Sequence, residues 1–120
     1  MNIYQQQIID NYNHPQNSGR PAQFTHSLRL ENQSCGDEIE VFLTVEDGVI
    51  KSMHYQAEGC AIAVASASIL SDYLPGKTLT EISKLTVDDL QQILGIELTP
   101  ARQKCALLAL QAIQQAESVS

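Results

Sequence analysis

Three cysteines and one aspartate, Cys35, Asp37, Cys60 and Cys105, are the residues of this sequence best suited to metal or sulfur chemistry. Cys35 and Asp37 flank Gly36 in Ser34-Cys35-Gly36-Asp37. Residues two apart in extended chain point the same way, so these two side chains can face one point. Gly36 between them lets the backbone approach a ligand closely. Cys60 follows Gly59 and precedes an apolar helical stretch. The first turn of a helix offers unpaired N–H groups and a positive dipole end, which favour an anionic group such as a thiolate. Cys105 lies in the second turn of the last helix, near Arg102 and Lys104, cations that would attract an anionic sulfur donor. Each feature has a plain alternative: Cys-Gly-Asp as a turn, Cys60 as a small residue at a helix start, Cys105 as a core position. Together they supply the three sulfurs and one oxygen of a tetrahedral zinc site. The same thiolates suit iron and iron–sulfur clusters. The long spacings, unlike the Cys-x-x-Cys pairs of zinc ribbons, mean that the fold must form before the site exists. Such a site is more often functional than architectural.

The bulk numbers narrow the setting. A chain of 120 residues fits a single domain over 1–120. With 43% hydrophobic and 18% charged residues it reads as globular rather than disordered. Seven basic against fourteen acidic residues give a net charge of −7, which argues against nucleic acid as a partner. The charge suits basic docking surfaces, or solubility alone. Met1–Asp10 is polar and is not a secretory leader. Cys60–Leu70 is too short to span a bilayer, so no membrane association is expected. The expected location is cytoplasmic, where thiols stay reduced, and three cysteines cannot all pair internally. His14, His26 and His54 adjoin no cysteine and read as surface or core residues.

The elements that must position the four residues follow from periodicity. Tyr4–Asn13 predicts a helix with Tyr4, Ile8, Ile9 and Tyr12 on one stripe, ended by His14-Pro15. Phe24–Glu31, Glu38–Glu46 and Val49–Ala57 predict three antiparallel strands. The second puts Ile39, Val41, Leu43 and Val45 on one face, while Phe42 on the other implies partial cover there. Asp47-Gly48 marks a two-residue hairpin turn. Ala61–Leu74 is apolar or small almost all round and predicts a buried helix. Thr78–Ser83 and Val87–Leu94 predict short helices with Thr78 and Thr86 as caps. Thr99-Pro100 opens the last helix, with Ala101, Cys105, Leu108, Ala109, Ala112, Ile113 and Ala116 on its buried stripe. The expected class is α+β: a three-stranded antiparallel sheet packed against an N-terminal helix and several C-terminal helices.

The ordered motifs resemble those of the U-type iron–sulfur cluster assembly proteins, the family of IscU, SufU and the N-terminal domain of NifU. The resemblance is carried by Tyr12-Asn13-His14-Pro15-Gln16-Asn17-Ser18-Gly19, Ser34-Cys35-Gly36-Asp37, Gly59-Cys60-Ala61-Ile62-Ala63, Pro75-Gly76-Lys77-Thr78 and Leu98-Thr99-Pro100-Ala101-Arg102-Gln103-Lys104-Cys105. It implies the SufE/NifU-like fold and a scaffold that takes persulfide sulfur from a cysteine desulfurase. It further implies building or relaying a 2Fe–2S cluster, or transient iron, for iron–sulfur acceptor proteins. The resemblance gives Cys35, Asp37, Cys60 and Cys105 as ligands of cluster or zinc, Asp37 as gate and Cys105 as sulfur acceptor. Gly36, Gly59, Arg102 and Lys104 are expected to support the site.

Two departures keep alternatives open. Lys104 stands where IscU-type members carry histidine before the third cysteine, and a protonated lysine cannot coordinate. SufU-type members carry basic residues there, but also a long insertion, whereas 44 residues separate Cys60 from Cys105 here. A zinc-dependent sulfurtransferase of the SufU type therefore stands beside the scaffold, and a purely structural zinc module beside both.

Overall fold

The computed structural model describes residues 3–33 and 36–118, with side chains from Gln6 to Ser118. Chain order is α1 (Ile3–Asn13), β1 (His26–Asn32), β2 (Asp37–Glu46), β3 (Val49–Glu58), α2 (Ala61–Tyr73), α3 (Leu79–Ser83), α4 (Val87–Leu94), α5 (Pro100–Gln115) and β4 (Glu117–Ser118). The sheet has strand order β3-β2-β1-β4. It contains the expected three-stranded meander, to which β4 adds a two-residue edge against His26 and Ser27. No helix among the described residues is long and apolar enough to cross a membrane.

The β2–β3 hairpin closes through Asp47 and Gly48, whose φ values of 54° and 76° are both positive. That two-residue geometry matches the right-handed twist of the flanking strands, and it is why Asp-Gly appears there. The register runs from Glu46 opposite Val49 to Glu38 opposite Glu58, with one irregularity at Thr44/Val45. Alternation along β2 buries Ile39, Val41 and Leu43 against the helices. Burying this apolar set is the main force holding the sheet to its helical layer. Helix α2 packs on α1, α5 and β3, and α5 packs on β1 and β2. Ala65, Ala67, Ala106 and Ala112, all fully buried, let the backbones come close.

Phe42 lies on the opposite sheet face and is only 1% exposed. Its cover is the Phe24 ring, 5.0 Å away, with the Arg20 guanidinium 5.1 Å above its own ring. This corrects the expected strand start. Phe24 lies outside β1 and does not share the core face with Leu28 and Leu30. At Thr25 the ladder gives way to other bonds: the Thr25 N–H donates to the Leu43 carbonyl and the Val45 N–H donates to Thr25 Oγ1.

The predicted stripe of α1 holds at Ile8, which is buried, while Ile9 and Tyr12 are exposed. The side chain of Tyr4 lies outside the described residues. Ala101, expected on the buried stripe of α5, is exposed because the first turn of that helix precedes its contact with the core. From Cys105 onward the stripe is buried, and it includes Ala106 and Leu110. Thr78 and Thr86 cap α3 and α4 through full capping boxes with Glu81 and Asp89.

Candidate metal centre

Asp37 is the first residue of β2, Cys60 the N-cap of α2 and Cys105 a second-turn residue of α5. The three come together because the sheet brings the start of β2 beside the end of β3, where Glu38 pairs with Glu58. Helix α5 then crosses the same end. One donor atom from each of Asp37, Cys60 and Cys105 lies within 4.8 Å of the other two. Cys35, expected as the fourth donor, lies outside the described residues, as does Ser34.

The environments of the three donors differ. Asp37 is 1% exposed and Cys105 8%, while Cys60 faces solvent. A buried carboxylate needs partners, and Asp37 has one in the Cys60 N–H, which donates to Oδ1 at 2.9 Å. Its other oxygen, Oδ2, stands 3.8 Å from Cys60 Sγ. Cys60 makes no side-chain cap bond for α2. Cys105 Sγ stands 3.8 Å from the Ala101 carbonyl one turn back. Gly36 adopts a positive φ of 71°, the conformation its place between Cys35 and Asp37 led us to expect.

The donor set can be tested against a metal. Tetrahedral zinc with sulfur at ~2.3 Å and oxygen at ~2.0 Å separates its donors by about 3.5 to 3.8 Å. The Oδ2–Sγ distance of 3.8 Å meets that range. The outer limit of 4.8 Å lies about 1 Å beyond it, within reach of rotamer adjustment. Two thiols and a carboxylate fit zinc, and the thiols fit iron.

Arg102 and Lys104 are exposed on the first turns of α5 and form no ion pair among the described residues. Lys104 edges a groove of about 470 Å³ whose wall includes Leu107, Leu108 and Gln111. No histidine joins the donor cluster. His26 Nδ1 meets the Thr25 hydroxyl at 2.9 Å, and His54 sits within β3.

Sequence reading missed a second set of residues, which hold the segment after α1. Ser68 Oγ donates to Asn11 Oδ1 at 2.6 Å and accepts the Gln16 N–H at 2.8 Å. Asn17 Nδ2 donates to Ser71 Oγ and to Asp72 Oδ1. The Gly19 N–H donates to the Tyr55 carbonyl, which seats this segment on the edge of β3. The available signal was the spacing of Ser68 and Ser71 in an otherwise apolar helix, one turn apart and facing a common neighbour.

Residues 3–119 match the family described as the NifU-like N terminal domain. The chain is 31% identical over 117 residues to the iron–sulfur cluster assembly scaffold protein IscU of Escherichia coli strain K12, covering 94% of this chain and 90% of that protein. It is 28% identical over 130 residues to the zinc-dependent sulfurtransferase SufU of Bacillus subtilis, covering 94% and 88%. Among solved structures, the fold matches a putative iron–sulfur cluster assembly scaffold protein for the SUF system from Fervidobacterium islandicum. That match has a TM-score of 0.79 at 21% identity and covers 97% of this chain and 95% of the other.

Proposed function

The chain belongs to the NifU-like N-terminal domain family, and from that premise we propose that it is an iron–sulfur cluster assembly scaffold. In this reading it receives persulfide sulfur from a cysteine desulfurase, builds or relays a 2Fe–2S cluster, and passes it to acceptor proteins. The observation that carries the reading is the convergence of Asp37, Cys60 and Cys105, from three separate elements, within 4.8 Å. Cys35, two residues from Asp37, is the fourth donor. Zinc held by the same residues would supply a positive centre that stabilises thiolates.

Cys105 is the sulfur acceptor. Its thiolate attacks the outer sulfur of the desulfurase persulfide and forms a new S–S bond. The old S–S bond breaks, and the desulfurase cysteine leaves as a thiolate. Sulfur is transferred with no external oxidant or reductant. Arg102 and Lys104, exposed and without ion pairs among the described residues, offer positive charge to the incoming anion.

The second reading is a zinc-dependent sulfurtransferase that activates the desulfurase. Lys104 favours it, because a lysine beside Cys105 withholds the extra nitrogen ligand that a histidine would bring. Anaerobic incubation with ferrous iron, cysteine and a desulfurase, read by visible absorption beside metal analysis, separates the two. A cluster spectrum that Cys105→Ser abolishes supports the scaffold. Stoichiometric zinc, no cluster and faster cysteine turnover supports the sulfurtransferase. Zinc with neither leaves the architectural role.

A further inference from the structure

We propose that Gly59 is a positioning residue for the site, the residue whose missing side chain holds the Asp37 carboxylate in place as a ligand. The inference rests on the reading of Asp37 as a metal ligand. A Cβ on Gly59 would fall 2.1 Å from Asp37 Oδ1, 2.7 Å from its Cγ and 3.0 Å from its Cα. No real Cβ approaches another heavy atom at 2.1 Å. Part of the obstacle is backbone, so a flexible side-chain end cannot swing aside to relieve it. Gly19, Gly36, Gly48 and Gly76 differ, since a Cβ at any of them meets nothing within 4 Å.

The space denied to a side chain at Gly59 is the space the carboxylate uses. Oδ1 takes the Cys60 N–H there, and that bond turns Oδ2 toward Cys60 Sγ. Asp37 is 1% exposed, so its carboxylate has no second buried place to occupy. A methyl group at position 59 therefore displaces the carboxylate, breaks its bond to the Cys60 amide and turns it off the thiols. The sequence would still contain Asp37, but the site would lack it.

The test is the rate of zinc release to a chromophoric chelator from the whole chain, with thermal melting of the metal-free protein alongside. Asp37→Ala and Gly59→Ala are each expected to speed release by about 10- to 100-fold, the usual effect of losing a group that orients a metal ligand. The double variant is expected to be no faster than Asp37→Ala, because the two changes remove one interaction. Gly76→Ala, at another positive φ (94°) with open space around it, controls for backbone strain and is expected to leave release unchanged. Should Gly59→Ala not fold, the double variant, with the obstructing carboxylate gone, is expected to fold. A double variant that stays unfolded overturns the inference. So does Gly59→Ala releasing zinc at the native rate while Asp37→Ala is fast, and then only the inference fails. If Asp37→Ala itself changes nothing, Asp37 is no ligand, and the reading beneath the inference fails with it.

Discussion

Asp37 Oδ1 accepts the Cys60 N–H at 2.9 Å, joining the first residue of β2 to the N-cap of α2. Two functions meet in that carboxylate, a cap for the helix and a donor for a metal, and substitution can separate them. Asp37→Asn keeps the shape and the accepting oxygen but loses the charge. Zinc affinity is expected to fall at least about 10-fold. Metal-free stability should stay near wild type in Asp37→Asn and drop by about 1–3 kcal/mol in Asp37→Ala, which loses the bond. Competition titration and urea unfolding measure the two separately. An Asn variant that binds zinc like wild type would remove the carboxylate from the ligand set.

Ser68 is fully buried and serves both Asn11 and the Gln16 amide. Ser68→Ala leaves both unpaired, with an expected cost of about 1–3 kcal/mol in urea unfolding. Faster hydrogen exchange at the Gln16 amide should accompany the loss. An unchanged exchange rate would mean that the segment is held by other contacts.

Phe42 and Arg29 stand on the same exposed side of the sheet, and their contributions should differ sharply. Phe42→Ala removes a ring that is 1% exposed and is expected to cost about 3 kcal/mol. Arg29 pairs with Glu38 and Glu31, and the Glu38 hydrogen bond, with charge from both partners, raises its pKa above the ordinary value. Its side chain is nevertheless 52% exposed, in water that screens both pairs. Arg29→Ala is therefore expected to leave the thermal midpoint unchanged in moderate salt. A large loss there would show that the three charges act as a network.

Gly48 has a φ of 76° at the second turn position of the hairpin. Gly48→Ala places a Cβ in left-handed conformation at an expected cost of about 1–2 kcal/mol. Since nothing lies within 4 Å of that Cβ, the cost is conformational. It should therefore reappear at full size in a Phe42→Ala background, which urea unfolding of the double variant would check.

The hairpin and the capped helices were legible because their signals are local. Asp47-Gly48 and the Thr86–Asp89 capping box each depend on residues two or three apart. Strand β1 starts at His26 rather than Phe24 because Thr25 bonds across to Leu43 and Val45, partners about twenty residues away. The exposure of Ala101 depends on where α5 first meets the core, which periodicity within the helix does not contain. Cys60 and Cys105 were legible as chemistry by residue type, and their meeting with Asp37 followed from sheet register. The burial of Asp37 against Gly59 was not legible, because it depends on the ends of two strands lying side by side.

The short β4 has a wider consequence. It pairs with β1 only at His26 and Ser27, so among the described residues no strand borders the outer edge of β1 from Leu28 to Glu31. The far edge of the sheet, by contrast, is bridged by Ser18 at Tyr55. An open edge invites a neighbouring molecule to extend the sheet, the first step toward aggregation. Arg29 and Glu31 stand on that edge, and an added strand would have to match or bury their charges. Charges that add nothing measurable to folding can still decide whether a concentrated solution of this protein stays clear.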